Sequence, residues 1–92
     1  MPFWTYIIRC ADASHYVGHT DNLENRVAEH NWGGVTVYTR KRRPLKLVWS
    51  EEFPSREEAL ARELHLKGWS RAKKEALMKG NWTRLQELAW HL

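Results

Sequence analysis

Ninety-two residues, 42% of them hydrophobic, suit one domain with a single core, near the lower size at which a core holds without disulfides or a metal staple. The lone cysteine, Cys10, excludes an intramolecular disulfide and fits a reducing compartment, and no apolar run approaches the ~20 residues of a membrane-spanning helix. Fifteen Lys and Arg against eleven Asp and Glu leave a net charge of +4, which points to a polyanionic partner.

Residues 3–10, FWTYIIRC, are aromatic and β-branched and read as a strand. ADASH then reads as a turn and YVGHT as a second strand, so an antiparallel hairpin is expected. Thr20 or Asp21 can cap a helix running through about residue 30, with Leu23 and Val27 as its apolar stripe and Trp32, Gly33 and Gly34 ending it. Residues 35–44 read as an extended loop closed by Pro44, and they carry the densest positive charge, Arg40, Lys41, Arg42 and Arg43. LKLVWSEEF, residues 45–53, alternates as a third strand.

Ser55 with Glu58 forms a capping box for a helix whose stripe is Ala59, Leu60 and Leu64, and Gly68 stops it. Ser70 can cap a second helix through about Met78, and Gly80 ends that one. Asn81 can cap a third, over residues 81–92, in which Trp82, Leu85, Leu88 and Ala89 share a face. The expected fold is therefore a single small α+β domain, residues 1–92: a three-stranded antiparallel sheet flanked by helices, with an extra C-terminal helix. The start MPFWTYIIRC lacks the charged head and small-residue cleavage site of a secretory signal, so a cytoplasmic location is expected.

Tyr6 and Tyr16 are both even-numbered, so in a hairpin whose cross-strand partners sum to an even number they project from one face. Arg26 lies about 60° around the helix from Leu23, with His30 one turn beyond, so both border the buried stripe. Glu63 flanks Leu60 and Leu64, and Lys67 follows one turn later. His15, His19 and Cys10 lack the paired-cysteine pattern of a zinc site. Trp69, Trp82 and Trp90 stand at spacings suited to a core.

Taken in order, Trp4-Thr5-Tyr6, Tyr16-Val17-Gly18, Arg26, His30 and Glu63 resemble the GIY-YIG nuclease domain. Trp4-Thr5-Tyr6 stands where that family has Gly-Ile-Tyr, and Tyr16-Val17-Gly18 where it has Tyr-Ile-Gly. The likeness spans roughly residues 3–78 and extends to YTRKRRP and REEALARELHLKGWSRAKKEAL, which resemble the small stand-alone bacterial members. Two positions depart from the pattern: Trp4 replaces the first glycine, and His19 stands where some members have lysine.

The resemblance implies a metal-dependent endonuclease that hydrolyses phosphodiester bonds in DNA, directed by structure or damage rather than by sequence, as in DNA repair. Specificity would come from DNA shape or from a protein partner, and RNA is not excluded as substrate. Glu63 would hold one Mg²⁺ or Mn²⁺ ion, and Arg26 would face the scissile phosphate. Tyr16, with Tyr6 alongside and His30 near, would act on the attacking water, with assistance from His19. Lys67, Arg71, Lys73 and Lys74, together with Arg40 to Arg43, would contact phosphates. The alternative implied by the same residues is a basic nucleic-acid-binding module with weak or no catalysis.

Overall fold

Seven aromatic, β-branched or otherwise extended residues form β1 (Phe3–Arg9), which pairs antiparallel with β2 (His15–Thr20) across a tight turn. The turn is held locally: Asp12 Oδ1 accepts from the Ser14 backbone N–H at 3.0 Å, and Ala13 adopts a left-handed φ of 68°. β3 (Lys46–Phe53) pairs antiparallel along the other side of β1, giving the sheet order β2-β1-β3. The computed structural model describes residues 2–32 and 36–80; the helix expected over 81–92, with Asn81, Trp82 and Trp90, lies outside the described residues.

Alternation along β1 divides the molecule into layers. Even positions Tyr6, Ile8 and Cys10 pack with Leu45, Leu47, Tyr16 and Leu23, on the side where α1 (Leu23–Trp32) and α2 (Val37–Arg40) lie. Odd positions face the other way: Ile7 and Val17 pack with Leu66, Ala76 and Leu77 of α3 (Arg56–Lys67) and α4 (Arg71–Met78). Ile7 and Ile8 are fully buried, so the central strand contributes to both cores. Thr5 Oγ1 donates to the Ala59 carbonyl at 2.7 Å, which fixes α3 against the sheet. Cys10 is free and buried in the first of these cores.

Three local expectations change. The first helix is capped by Asn22, whose Oδ1 accepts from the Asn25 N–H at 3.1 Å; Thr20 Oγ1 instead accepts from Asn22 N. The expected loop contains the single-turn α2, because Thr36 Oγ1 accepts from the Thr39 N–H at 3.1 Å and supplies a cap. In α3 the inner face is Ala59, Glu63 and Leu66, while Leu60 and Leu64 are 38% and 60% exposed. The two leucines yield to the smaller Ala59, which allows the helix backbone to reach Thr5. Ser55, Gly68 and Ser70 cap their helices as the sequence predicts.

Candidate active site

The register brings the two motif tyrosines together. Tyr6 stands opposite Gly18 and Ile8 opposite Tyr16, so both phenols lie on one face, ring centroids 6.5 Å apart. Gly18 makes this possible: a Cβ there would lie 2.5 Å from Tyr6 Oη and 2.7 Å from Tyr6 Cζ. The Tyr6 ring fills the space that any other residue at position 18 would occupy.

α1 then lowers His30 onto the pair. His30 is fully buried, with Nε2 2.9 Å from Tyr6 Oη and its ring edge against Tyr16 at a centroid distance of 5.1 Å. Its Nδ1 lies 3.0 Å from Thr39 Oγ1, which in turn lies 2.8 Å from Thr36 Oγ1. Burial, followed by the nearby Arg26 charge, pushes the imidazole down to about 4, so it is neutral at physiological pH. A neutral ring that donates from Nδ1 to Thr39 accepts the Tyr6 proton at Nε2. Burial, with Tyr16 and Glu63 adding to it, raises the Tyr6 phenol far above its ordinary range, and Arg26 only partly opposes this. Tyr6 is thus a protonated donor to His30.

Glu63 approaches from the opposite layer. It is 8% exposed, and its two oxygens are each engaged: Oε1 lies 2.8 Å from His19 Nδ1, and Oε2 accepts from Lys67 Nζ at 2.9 Å. Burial alone would raise its carboxyl, but the His19 and Lys67 hydrogen bonds and charges outweigh that and hold it below the usual range. His19 therefore supports the carboxylate instead of a tyrosine, a role the sequence did not suggest. Tyr16 feels both layers: burial raises its phenol, Lys67 and Arg26 lower it, and Glu63 raises it. The site thus wraps around the free edge of β2, with Tyr6, Tyr16, Arg26 and His30 on one side and His19, Glu63 and Lys67 on the other.

Arg26 Nε is buried without a hydrogen-bond partner among the described residues, and its nearest carboxylate, Glu29, is 3.9 Å away. A buried cationic N–H left open toward a polar site suits an anionic ligand. Tyr16 has no side-chain hydrogen bond among the described residues, and it lines a small cavity of about 270 Å³ with Tyr38, Lys67 and Lys74. Trp4 lines an apolar cavity with Leu23, Val27 and Leu47.

The expected phosphate contacts divide. Arg40 and Lys41 are exposed, and their side chains form no ion pair among the described residues. Arg42 is committed to Asp12 Oδ2 (2.9 Å) and the Tyr38 carbonyl (3.0 Å), and its guanidinium stacks 3.9 Å over the Tyr38 ring. Arg43 donates to the Arg40 and Asn31 carbonyls, so it braces α1 against α2. Arg71 pairs with Glu75 and donates to the Ala13 carbonyl. Lys73 departs furthest from expectation: it is buried, with its ammonium 4.2 Å over the Trp69 ring, and so is not presented on the surface for a phosphate. Lys67 and Lys74 do line the cavity beside Tyr16. Thr39 and Tyr38 were missed from sequence; the Thr36-x-x-Thr39 spacing, a cap signal, was the available clue.

Comparison with known proteins bears on the family and the fold. The chain is 48% identical over 75 residues to a UPF0213 protein of Natronomonas pharaonis, covering 82% of this chain and 88% of that one. It is 40% identical over 81 residues to a UPF0213 protein of Streptococcus pneumoniae, covering 88% and 82%. Two solution NMR structures share the fold at 38% identity. The UPF0213 protein BH0048 from Bacillus halodurans has a TM-score of 0.56, over 96% of this chain and 97% of that one. The protein EF2693 from E. faecalis has a TM-score of 0.60, over 87% and 85%. The sequence model of the GIY-YIG catalytic domain matches residues 2–76, a span that holds every side chain assembled at the β2 edge, and the chain belongs to the GIY-YIG nuclease family.

Proposed function

We propose that the protein is a divalent-metal-dependent endonuclease that hydrolyses phosphodiester bonds in DNA, selecting structure or damage rather than sequence. The observation that carries this reading is the packing of Tyr6, Tyr16 and His30 on one face of the β1–β2 pair, with Glu63 joined to the edge strand β2 through His19 at 2.8 Å. The donor set suits one hard cation. Glu63 is an ionised carboxylate whose oxygens each keep a second lone pair beyond the His19 and Lys67 hydrogen bonds. Among the described residues no group of three or more His, Cys, Asp or Glu forms a closed cage. A single carboxylate with water and phosphate oxygens completing the shell is the arrangement Mg²⁺ or Mn²⁺ favours. The chemistry such an ion supplies when bound is stabilisation of negative charge on the phosphate and on the departing oxygen.

The chain's own residues do the rest. Arg26, with its open Nε–H, meets the phosphate and offsets charge that grows in the pentacovalent transition state. Tyr16, not Tyr6, orients the water, because Tyr6 is hydrogen-bonded to His30 while Tyr16 has no side-chain hydrogen bond among the described residues; burial raises the Tyr16 phenol, so it acts as a protonated donor. Lys67 and Lys74 receive the neighbouring phosphates. Incubation of wild type, Glu63→Gln and Arg26→Ala with supercoiled plasmid and a branched duplex, with and without Mn²⁺, tests the proposal. Metal-dependent nicking lost in both variants supports it. Equal DNA binding by all three with no nicking would leave only a binding module.

A further inference from the structure

A second basic feature lies away from these residues. Arg9 on β1 stands directly opposite His15 on β2 and Lys46 on β3, so three basic side chains form one lateral row across the sheet. Like charges facing each other across strands are destabilising. Lysine on an edge strand is a common guard against edge-to-edge pairing, which accounts for Lys46. It does not account for Arg9, which sits on the central strand.

The row floors a groove of about 520 Å³ whose other wall is the end of α4, including Glu75, Met78 and Lys79. Glu75 is the one carboxylate lining it among the described residues, and its Oε1 already accepts from Arg71 Nε at 3.1 Å. Arg9, Lys46 and Lys79 are exposed and have no ion-pair partner among the described residues. His15 also lines the cavity that holds Tyr16, Lys67 and Lys74, so the two basic surfaces are continuous. Burial first, then the charges of Arg71, Lys74 and Arg9, depress the His15 imidazole against the opposing effect of Glu75, so the like charges that oppose each other in the row are those of Arg9 and Lys46. Strands about 4.8 Å apart make the row roughly 10 Å long.

We infer that Arg9, His15, Lys46 and Lys79 form a second phosphate-binding track, which holds the nucleic-acid backbone beyond the position cleaved at the β2 edge. The inference rests on the nuclease reading for what occupies the adjoining site. It requires a substrate that extends several nucleotides past that site, and it assigns the track to binding and not to chemistry.

The test compares wild type, Arg9→Gln/Lys46→Gln and a control, Arg56→Gln, an exposed arginine at the start of α3 that lies in neither basic surface and should leave the salt slope unchanged. Each is measured for anisotropy-detected binding of a 20-base-pair duplex across a salt series, for plasmid nicking and for hydrolysis of bis(p-nitrophenyl) phosphate. For the Arg9/Lys46 pair the slope of log K against log salt is expected to fall by about 2, at about 0.9 per lost contact. Hydrolysis of the small diester should be unchanged, and the thermal midpoint should hold or rise as repulsion is relieved; a lower midpoint would mean a structural role and overturn the inference. An unchanged slope with nicking intact overturns the track alone. A reduced slope without nicking in any protein overturns the nuclease reading and leaves the track standing. Absence of nucleic-acid binding by wild type overturns both.

Discussion

Gly18→Ala is the substitution through which the packing of the site can be measured. The added Cβ would lie 2.5 Å from Tyr6 Oη, 2.7 Å from Tyr6 Cζ and 3.2 Å from Tyr16 Cε1. Restoring ordinary contact requires the Tyr6 ring to retreat by about 1 Å, yet the ring is 1% exposed and its oxygen is tied to His30 Nε2 at 2.9 Å. Overpacking of this kind costs about 1–3 kcal/mol. Losing the buried hydrogen bond adds about 0.5–1.5 kcal/mol. Replacing glycine in a strand interior returns about 0.5–1 kcal/mol. The net is a loss of about 2 kcal/mol, or a thermal midpoint lower by about 8–16 °C for a domain of this size. Thermal and urea unfolding measure it, with Gly68→Ala as control, since a Cβ there meets only the His65 carbonyl at an ordinary 3.5 Å. In a Tyr6→Leu background, which removes Oη and Cζ, the same change at position 18 should cost much less, with only the 3.2 Å approach to Tyr16 Cε1 remaining. Equal destabilisation in both backgrounds would refute the reasoning.

Four further outcomes are expected. His30 is displaced from its ordinary 6.5 to about 4, so between those values the unfolded chain takes up a proton that the folded chain does not. Stability should therefore be complete above about pH 6.5 and decline toward pH 4, and His30→Gln should flatten the thermal midpoint across that window. Thr39→Val leaves the His30 Nδ1–H unpaired in a buried site, which should cost about 1–3 kcal/mol in urea unfolding and lower nicking, while Thr39→Ser restores both. Glu63→Gln should abolish metal-dependent nicking and leave duplex affinity, read by anisotropy, within a few-fold of wild type. Ser55→Ala removes the α3 cap and should cost about 1 kcal/mol in thermal unfolding without changing DNA affinity.

The parts legible in the sequence are those whose cause is local. Period-2 alternation and a short turn suffice to place Tyr6 and Tyr16 on one face, and Ser55 and Ser70 announce the helices they cap. The facing of α3 was not legible because leucine count favours Leu60 and Leu64, whereas the Thr5 to Ala59 hydrogen bond decides it from 54 residues away. That rotation moves Glu63 from the flank of the buried face into it, a position that needs His19 and Lys67 as partners. The basic run reads as uniform surface charge, but the α2 turn brings the Tyr38 carbonyl within reach of Arg42, and the packing of α1 beside α2 brings the Asn31 carbonyl to Arg43. Lys73 turns inward for a ring contributed by Trp69, a choice no charge count reveals.

The placement of these groups at the margin of a three-stranded sheet has a wider implication for size. Layers on opposite sides of a sheet are separated everywhere except along its outermost strand, and a six-residue strand is the rim here. In this chain the rim itself is the meeting place, so a phenol pair from one layer and a carboxylate from the other need no second lobe to find each other.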